Sequence, residues 1–498
     1  MTVSIAAVRE RLHSLRCEVA TQAAAGLDGP PDAPPVIQRS RENLFAYLAL
    51  RQHDLESLQM DLADLGLSSL GRVEPAVLWS LDQVLARLGS PMAPSPGQID
   101  RHDAAGLLSE RAAALLGRPR PERGTRIMVT VDSDMARRNE LLERLLLAGM
   151  DVLRINTAHE TQDDWREIVE RLRAAEQALD SAGIPPPRAC RVAFDLGGPH
   201  LRTVGIPDDL KIHVSAGDHL VLLRSPDGIS SSPSESSPAA IAVSHPGALD
   251  AVHASHRIAI NDGKITGVVE EVRPESMLVR ITGPEKPGRI RAEKGLNFPD
   301  SVIDLPALTE EDRDHLPFIV RHATAIGLSF VHGPGDVQAL HKALVELGHP
   351  SLGIIAKIET RAAIHNLARI LLAGLDLPAF GVMVARGDLA VEVGFEDLAF
   401  VSEDILAMCD AAHVPAIWAT QVLETLTRSG LPARAEITDA VHGQRTECVM
   451  LNKGAHVVRA SSILAGLLAA DARRHNKKRE VFRAFTRQEG VFPEGDPV

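Results

Sequence analysis

The segment SLGIIAKIETRAAIHNLARILLAGLDLPAFGVMVARGDLAVEVG, residues 351–394, decides the fold. Leu352 to Ile358 reads as a buried strand, the residues from about Thr360 as an amphipathic helix, and Gly381 to Ala385 as a second buried strand, the pattern of a parallel β-α-β unit. Lys357 and Glu359 stand two residues apart near the end of the first strand and share a face, and Arg386-Gly387-Asp388 follows the end of the second. One cation and two carboxylates therefore converge on one sheet edge. A structural ion pair between Lys357 and Glu359 or Asp388 accounts for that spacing as well as a catalytic centre does. On the functional reading, Glu359 and Asp388 offer hard oxygen ligands to Mg²⁺ or Mn²⁺, and Lys357 neutralises a phosphoryl group bound there. The amides of Ala385, Arg386, Gly387 and Asp388 open a helix N-terminus suited to a carboxylate or phosphate.

Outward from this unit the same grammar repeats. Short apolar strands are legible at 126–131, 151–156, 191–195, 325–330, 352–358, 381–385, 415–419 and 448–451, and helical patterns separate all but the third and fourth. Eight parallel strands with crossover helices predict a (β/α)8 TIM barrel of the α/β class, whose functional residues come from the C-terminal strand ends; a doubly wound open sheet is the competitor. Between Arg202 and Lys294 the helical period gives way to β-like runs at 210–223, 256–272 and 276–283, which predicts a small β-barrel lid domain inserted after the third strand. Within it the Ser/Pro/Gly tract 225–240 reads as a mobile loop. Residues 1 to about 123 read as helix broken at Pro- and Gly-rich stretches, with no catalytic spacing. The expected divisions are an N-terminal helical region, 1–123, a first barrel part, 124–206, the lid, 207–293, a second barrel part, 294–475, and a C-terminal tail, 476–498.

Composition narrows the partners. Of 498 residues, 66 are acidic and 53 are Lys or Arg, a net charge of −13 without any basic run, which argues against nucleic acid but not against an anionic small molecule. Four scattered cysteines form no zinc or CxxC pattern, so a reduced, cytoplasmic setting is expected. The N-terminus meets Arg and Glu too early for a signal peptide, and no apolar stretch is long enough for a membrane span.

Other rim residues fit the same chemistry. Arg154 and Asn156 share a face at the end of the second strand, with His159 just beyond; Asp195 ends the third, followed by Gly197, Gly198 and Arg202. Two rim arginines suit a polyphosphate. Thr420 puts a hydroxyl after the seventh strand, although a plain helix N-cap explains it equally well. No GxxxxGK[ST] loop is present, which excludes a P-loop kinase.

The stretches LRINTAH (153–159), FDLGGPHLRT (194–203), INDGKI (260–265), KGLNFPD (294–300), IDLPALTEED (303–312), IIAKIE (354–359), GVMVARGDLAVEV (381–393), ATQVLET (419–425), PARAE (432–436) and CVML (448–451) resemble the pyruvate kinase family, in its order. The resemblance implies phosphoryl transfer from phosphoenolpyruvate to ADP, giving pyruvate and ATP through an enolate. By matched position, Lys357 and Arg154 would meet the moving phosphoryl group, Glu359 and Asp388 would hold Mg²⁺ or Mn²⁺, and Thr420 would sit where the enolate carbon is protonated. Asn156, His159, Arg202 and Lys294 would approach the nucleotide or its metals, with Asp262 swinging in from the lid. Asn156 and Asp195 would be the remaining ligands of a monovalent cation, and a homo-oligomer is implied.

Departures from the family pattern are specific. Val131-Asp132-Ser133 replaces the usual turn after the first strand, Ala158 stands where a serine oxygen would ligate K⁺, and Leu196-Gly197-Gly198-Pro199-His200 lacks a lysine and a glutamate. K⁺ is therefore expected to be dispensable, with His200 supplying positive charge nearby. Ser329-Phe330-Val331-His332 lacks an arginine, and Asn452-Lys453-Gly454-Ala455 lacks an acid. With only 476–498 after the last barrel helix, the family's C-terminal regulatory domain and its effector site are expected to be missing. The N-terminal region is left to the barrel flank or an oligomer interface. Two other functions share the same residues: a metal-dependent aldolase or lyase on 2-oxo acids, and a phosphoenolpyruvate-binding regulator with weak turnover.

Overall fold

The computed structural model describes residues 4–26, 34–184, 189–207, 210, 212–229, 238–301, 303, 305–473, 475–476 and 479–480. Eight parallel strands close into a barrel: β1 (Arg126–Thr130), β2 (Val152–Asn156), β3 (Arg191–Asp195), β4 (Ala325–Leu328), β5 (Gly353–Ile358), β6 (Phe380–Ala385), β7 (Ala416–Ala419) and β8 (Cys448–Leu451). Neighbours pair in chain order, and β8 returns to β1 in register from Arg126↔Cys448 to Val129↔Leu451. That last pairing removes both sheet edges and rules out the open sheet. The strands are apolar along their whole length because helices cover the outside while side chains fill the inside. Two of the outer helices, Gln162–Ser181 and Glu310–Ile319, begin with reciprocal capping boxes, Thr161 with Asp164 and Thr309 with Asp312.

Between β3 and the helix at Glu310 the chain builds the lid. Its seven-stranded sheet runs in the order Leu296–Asn297, Arg257–Ile260, Ile265–Val272, Ser276–Gly283, His219–Leu223, Ala239–Val243 and Thr203–Val204, and Ile212–Val214 pairs separately with Gly288–Ile290. Leu220, Leu222, Ile241, Ile258, Val279 and Ile281 form a core distinct from the barrel's. Two chain crossings carry the lid, and they are tied together by an antiparallel bridge between Arg202 and Gly295. Of the tract expected to be a mobile loop, residues 230–237 lie outside the described residues, and Ala239 already belongs to a strand. The expected tail, 476–498, lies outside them too, except Asn476 and Arg479–Glu480 in a short hairpin with His475.

The N-terminal helices are α1 (Ile5–Ala25), α2 (Pro35–Leu50), α3 (Glu56–Asp64), α4 (Val77–Arg87) and α5 (Arg101–Leu116). They lie against the barrel flank. Asn43 on α2 donates to the carbonyl of Ala411 at 2.8 Å, Arg41 pairs with Asp376, and Arg111 on α5 donates to the carbonyls of Ala412 (3.0 Å) and His413 (3.1 Å). The end of α5 goes further and closes the barrel floor. Leu115 and Leu116 pack with Met128, Val152, Ile355, Met383 and Ile417. A Cβ on Gly353 or on Gly381 would collide with Leu115, so the glycines that open β5 and sit in β6 make room for this plug. No helix among the described residues is long and apolar enough to cross a membrane.

Leu115→Ala leaves a cavity at the barrel floor, among Met128, Val152, Ile355, Met383 and Ile417 and the two glycines that receive the leucine. The expected loss is about 2–5 kcal/mol of unfolding free energy, measured by urea denaturation; a loss under half a kcal/mol (roughly the level of a surface change) would remove the plug from the stability account.

Candidate active site at the barrel rim

The C-terminal ends of β2, β3 and β5 bring four charged side chains into one buried network, and β4 adds Gly327 and Ser329. Asp195 ends β3 and is fully buried. Its Oδ2 accepts from Arg154 Nε at 2.7 Å and lies 4.0 Å from Lys357 Nζ. Arg154 also donates to Thr130 Oγ1 (2.9 Å), and Lys357 donates to Ser329 Oγ (2.7 Å) while standing 3.5 Å from Glu359 Oε2. Glu359 Oε1 accepts from the amide of Phe330 at 2.7 Å. The ion pair between Lys357 and Glu359 therefore exists, inside a larger array. Gly327 on β4 is opposite Asp195, and a side chain there would collide with Asp195 Oδ1, so this glycine is part of the site.

Asp388 lies in the first turn of the helix Arg386–Val393, which follows β6 directly. Burial first, and then Glu359, push its carboxyl up to about 7, against the pull of Lys357; Asp262 on the lid adds in the same direction as Glu359. Two carboxylates crowded in this way have the donor chemistry that a divalent cation satisfies. Among the described residues no group of three or more His, Cys, Asp or Glu is set to hold an ion unaided. Glu359 and Asp388 fit instead the Mg²⁺ pattern of one or two protein carboxylates completed by water and substrate oxygens.

The end of β7 is strained in a useful direction. Thr420, Gln421 and Leu423 have φ of +65°, +56° and +48°, the left-handed region that non-glycine residues seldom occupy. Thr420 Oγ1 is buried there with no hydrogen-bond partner, about 3.8 Å from where a Cβ on Gly387 would stand. Arg386 holds the turn in place: its guanidinium lies 4.2 Å over the Trp418 ring, donates to the carbonyl of Ala419 (3.0 Å) and pairs with Asp439. Arg386 is thus engaged in structure, and Ala385, Gly387 and Asp388 are what remain for a ligand.

From the lid, Asp262 occupies the turn between Arg257–Ile260 and Ile265–Val272, and a Cβ on the adjacent Gly263 would touch Val391 of the helix that carries Asp388. Lys294 and Arg202 sit on the two lid crossings, where Lys294 N donates to Thr203 Oγ1 and Arg202 to the carbonyl of Glu293. Asn156 ends β2, with its Oδ1 accepting from the amide of Ala158 at 3.2 Å. His159 is pushed below the usual histidine range by burial, then by Lys453 and Arg202.

Two of the altered positions explain each other. Lys453, after β8, pairs with Asp132, after β1, at 2.8 Å across the barrel seam. Burial works against ionisation of Asp132, but Lys453 and the amide of Met135 outweigh it and hold the carboxyl below its ordinary range. Sequence reasoning treated these as separate losses; only the β1–β8 closure makes them neighbours. Thr130, Ser329 and Gly327 were likewise missed, since none belongs to a charged motif. His200 requires a correction. Burial, then Arg202 and Lys357, push its imidazole down to about 4, so it is neutral near pH 7 and does not supply positive charge.

A family model for the pyruvate kinase barrel domain matches residues 122–456. The chain belongs to the pyruvate kinase family. It is 30% identical to human pyruvate kinase PKLR over 341 residues, 67% of this chain and 56% of that one. It is 28% identical to the pyruvate kinase of Borreliella burgdorferi over 331 residues, 66% and 63% of the two chains. Against the pyruvate kinase of Methylorubrum extorquens it is 33% identical over 316 residues, 63% and 60%. The chain thus spans less than two thirds of the length of these relatives, and the matched part is the barrel with its lid.

The depressed His200 gives a pH signature. With the folded value about 4 and the unfolded value about 6.5, the stability from keeping His200 neutral is complete above the unfolded value and is lost as pH falls through the folded one. His200→Gln should flatten the decline in melting temperature between about pH 6.5 and 4, and the His200 ring should remain neutral by NMR at about pH 6. A ring half-protonated near pH 6.5 would contradict this reading.

Proposed function

We propose that this protein transfers the phosphoryl group of phosphoenolpyruvate to ADP, yielding pyruvate and ATP. The observation that carries the proposal is the placement of Lys357, braced by Ser329, Glu359 and Asp195, beside Arg154 on one rim that also holds the unpartnered Thr420 hydroxyl. In this reading Lys357 and Arg154 face the oxygens of the phosphoryl group as its bond to the enol oxygen breaks and a bond to the terminal phosphate oxygen of ADP forms. Positioning and charge neutralisation dominate such a step. The Thr420 Oγ1, lacking any protein partner, holds the water or proton destined for the carbon that becomes the methyl group of pyruvate. Glu359 and Asp388 would hold Mg²⁺ or Mn²⁺, which when bound supplies Lewis-acid stabilisation of the oxygens on the substrate. Asp262 and Lys294 on the lid, with Asn156, His159 and Arg202 on the rim, receive the nucleotide and exclude water as the lid closes.

Dependence on K⁺ is proposed to be small. Ala158 offers no side-chain oxygen, and Arg154 and Lys357 already bracket Asp195 Oδ2, so fixed positive charge comes from them. Asn156 and Asp195 alone make a poor monovalent site. The four cysteines are all free thiols, three of them buried, in keeping with a reducing cytoplasmic setting.

Purified protein given phosphoenolpyruvate, ADP and Mg²⁺ should form pyruvate and ATP, and Lys357→Met should lower kcat by about a hundredfold or more, the scale of removing one preorganised charge. Binding without turnover in the unmodified protein would point to a regulator, and pyruvate proton exchange without ATP to an enolate-forming lyase. In Na⁺-free buffer, adding K⁺ should change the rate by less than about threefold, well under 1 kcal/mol of barrier; a many-fold requirement would sink the cation proposal.

A further inference from the structure

At the opposite end of the barrel, where the linker after α5 enters β1, lies a cavity of about 570 Å³ whose chemistry the rim reaction does not use. Arg118, Arg120, Arg173 and Arg191 line it, against Asp151 as the single lining carboxylate. Asp151 is already taken: Arg120 Nε lies 3.0 Å from its Oδ1 and Arg123 2.8 Å from its Oδ2. Arg173 pairs with Glu176 at 2.7 Å and donates to the carbonyl of Cys190. The side chains of Arg118 and Arg191 have no hydrogen bond or ion pair among the described residues. Arg191 is the first residue of β3, and its aliphatic stem passes Gly117, 3.4 Å from where a Cβ on that glycine would stand. Gly117, with φ of +83°, lets the linker turn over it.

A chain carrying a net charge of −13 has acids to spare, yet of the four arginines lining this recess only Arg120 and Arg173 have a carboxylate partner among the described residues. A cleft lined by one sign of charge concentrates its counter-ion, and arginine forks match the oxygens of phosphate in pairs. The volume falls in the range of small-molecule sites, roughly 300–1,000 Å³. We propose that this cavity on the barrel floor binds a small phosphorylated metabolite, with Arg118 and Arg191 as its principal ligands and Arg120 and Arg173 as supporting charge. An occupant ties the linker after α5 to the first residue of β3, the strand whose last residue is Asp195 at the rim. The site therefore belongs to the N-terminal region and the barrel together, and its ligand steadies their junction.

The test uses inorganic pyrophosphate, titrated calorimetrically into the full chain in Mg²⁺-free buffer. Lys357→Met, which removes the rim cation, should bind it as the unmodified protein does. Arg118→Gln/Arg191→Gln should weaken binding by about tenfold or more, that is about 1.4 kcal/mol, with the melting temperature of the ligand-free protein unchanged. Absence of binding, or binding lost in Lys357→Met and intact in the double variant, overturns the proposal. Should the double variant fold poorly, phenylglyoxal modification of the unmodified protein decides: pyrophosphate should slow labelling of Arg118 severalfold by mass spectrometry, and unprotected labelling overturns it.

Discussion

Asp195 is a carboxylate taken wholly out of water, and such a charge is tolerated only where cations and donors surround it. Arg154 reaches it from β2 and Lys357 from β5, so the group on β3 fixes side chains on strands to either side. The same demand keeps β4 bare at Gly327, because any side chain there would displace the carboxylate. Removing one partner from a buried pair typically costs about 3–5 kcal/mol, which is enough to disorganise the whole rim. Rigidity of the reacting groups thus follows from electrostatic necessity rather than from shape alone. Oδ1 of Asp195 is buried within this network without a hydrogen-bond partner among the described residues.

Set against that rigid half, the other side of the site is assembled from strained and movable parts. The left-handed turn at Thr420 is kept by Arg386 bridging Trp418, the strand-end carbonyls and Asp439. Asp388 is held with its carboxyl raised to about 7 by burial and then by Glu359, against the pull of Lys357. Asp262 comes from a lid that is connected by two crossings and touches the barrel helix beside Val391. The proposed reaction would thus have a cationic wall fixed by burial on one side and the lid's Asp262 on the other.

Much of this was legible in the chain itself. The eight apolar strand runs, the break in helical period where the lid enters, and the two-residue spacing of Lys357 and Glu359 are local patterns, and locality is what periodicity can read. What stayed hidden depends on contacts between distant residues. Asp132 and Lys453 are meaningless apart and become a pair only when β8 closes on β1. The charge on His200 could not be read because burial decides it first and Lys357 reaches it from a distant strand; of the two cations only Arg202 stands in the run around it. The N-terminal region was recognisable as helical, but its apolar faces do not reveal what they pack against. Leu115 looked like any other leucine at a helix end.

Leu115 is synthesised before any barrel strand, whereas the glycines that receive it, Gly353 and Gly381, come more than two hundred residues later. The barrel cannot reach its final packing around a void and fill it afterwards; its fifth and sixth strands have to close on a segment that left the ribosome first. The floor contact therefore joins residues more than two hundred positions apart, and a fold rich in such contacts forms slowly. Until those strands are made, the apolar end of α5 has no barrel floor to fill.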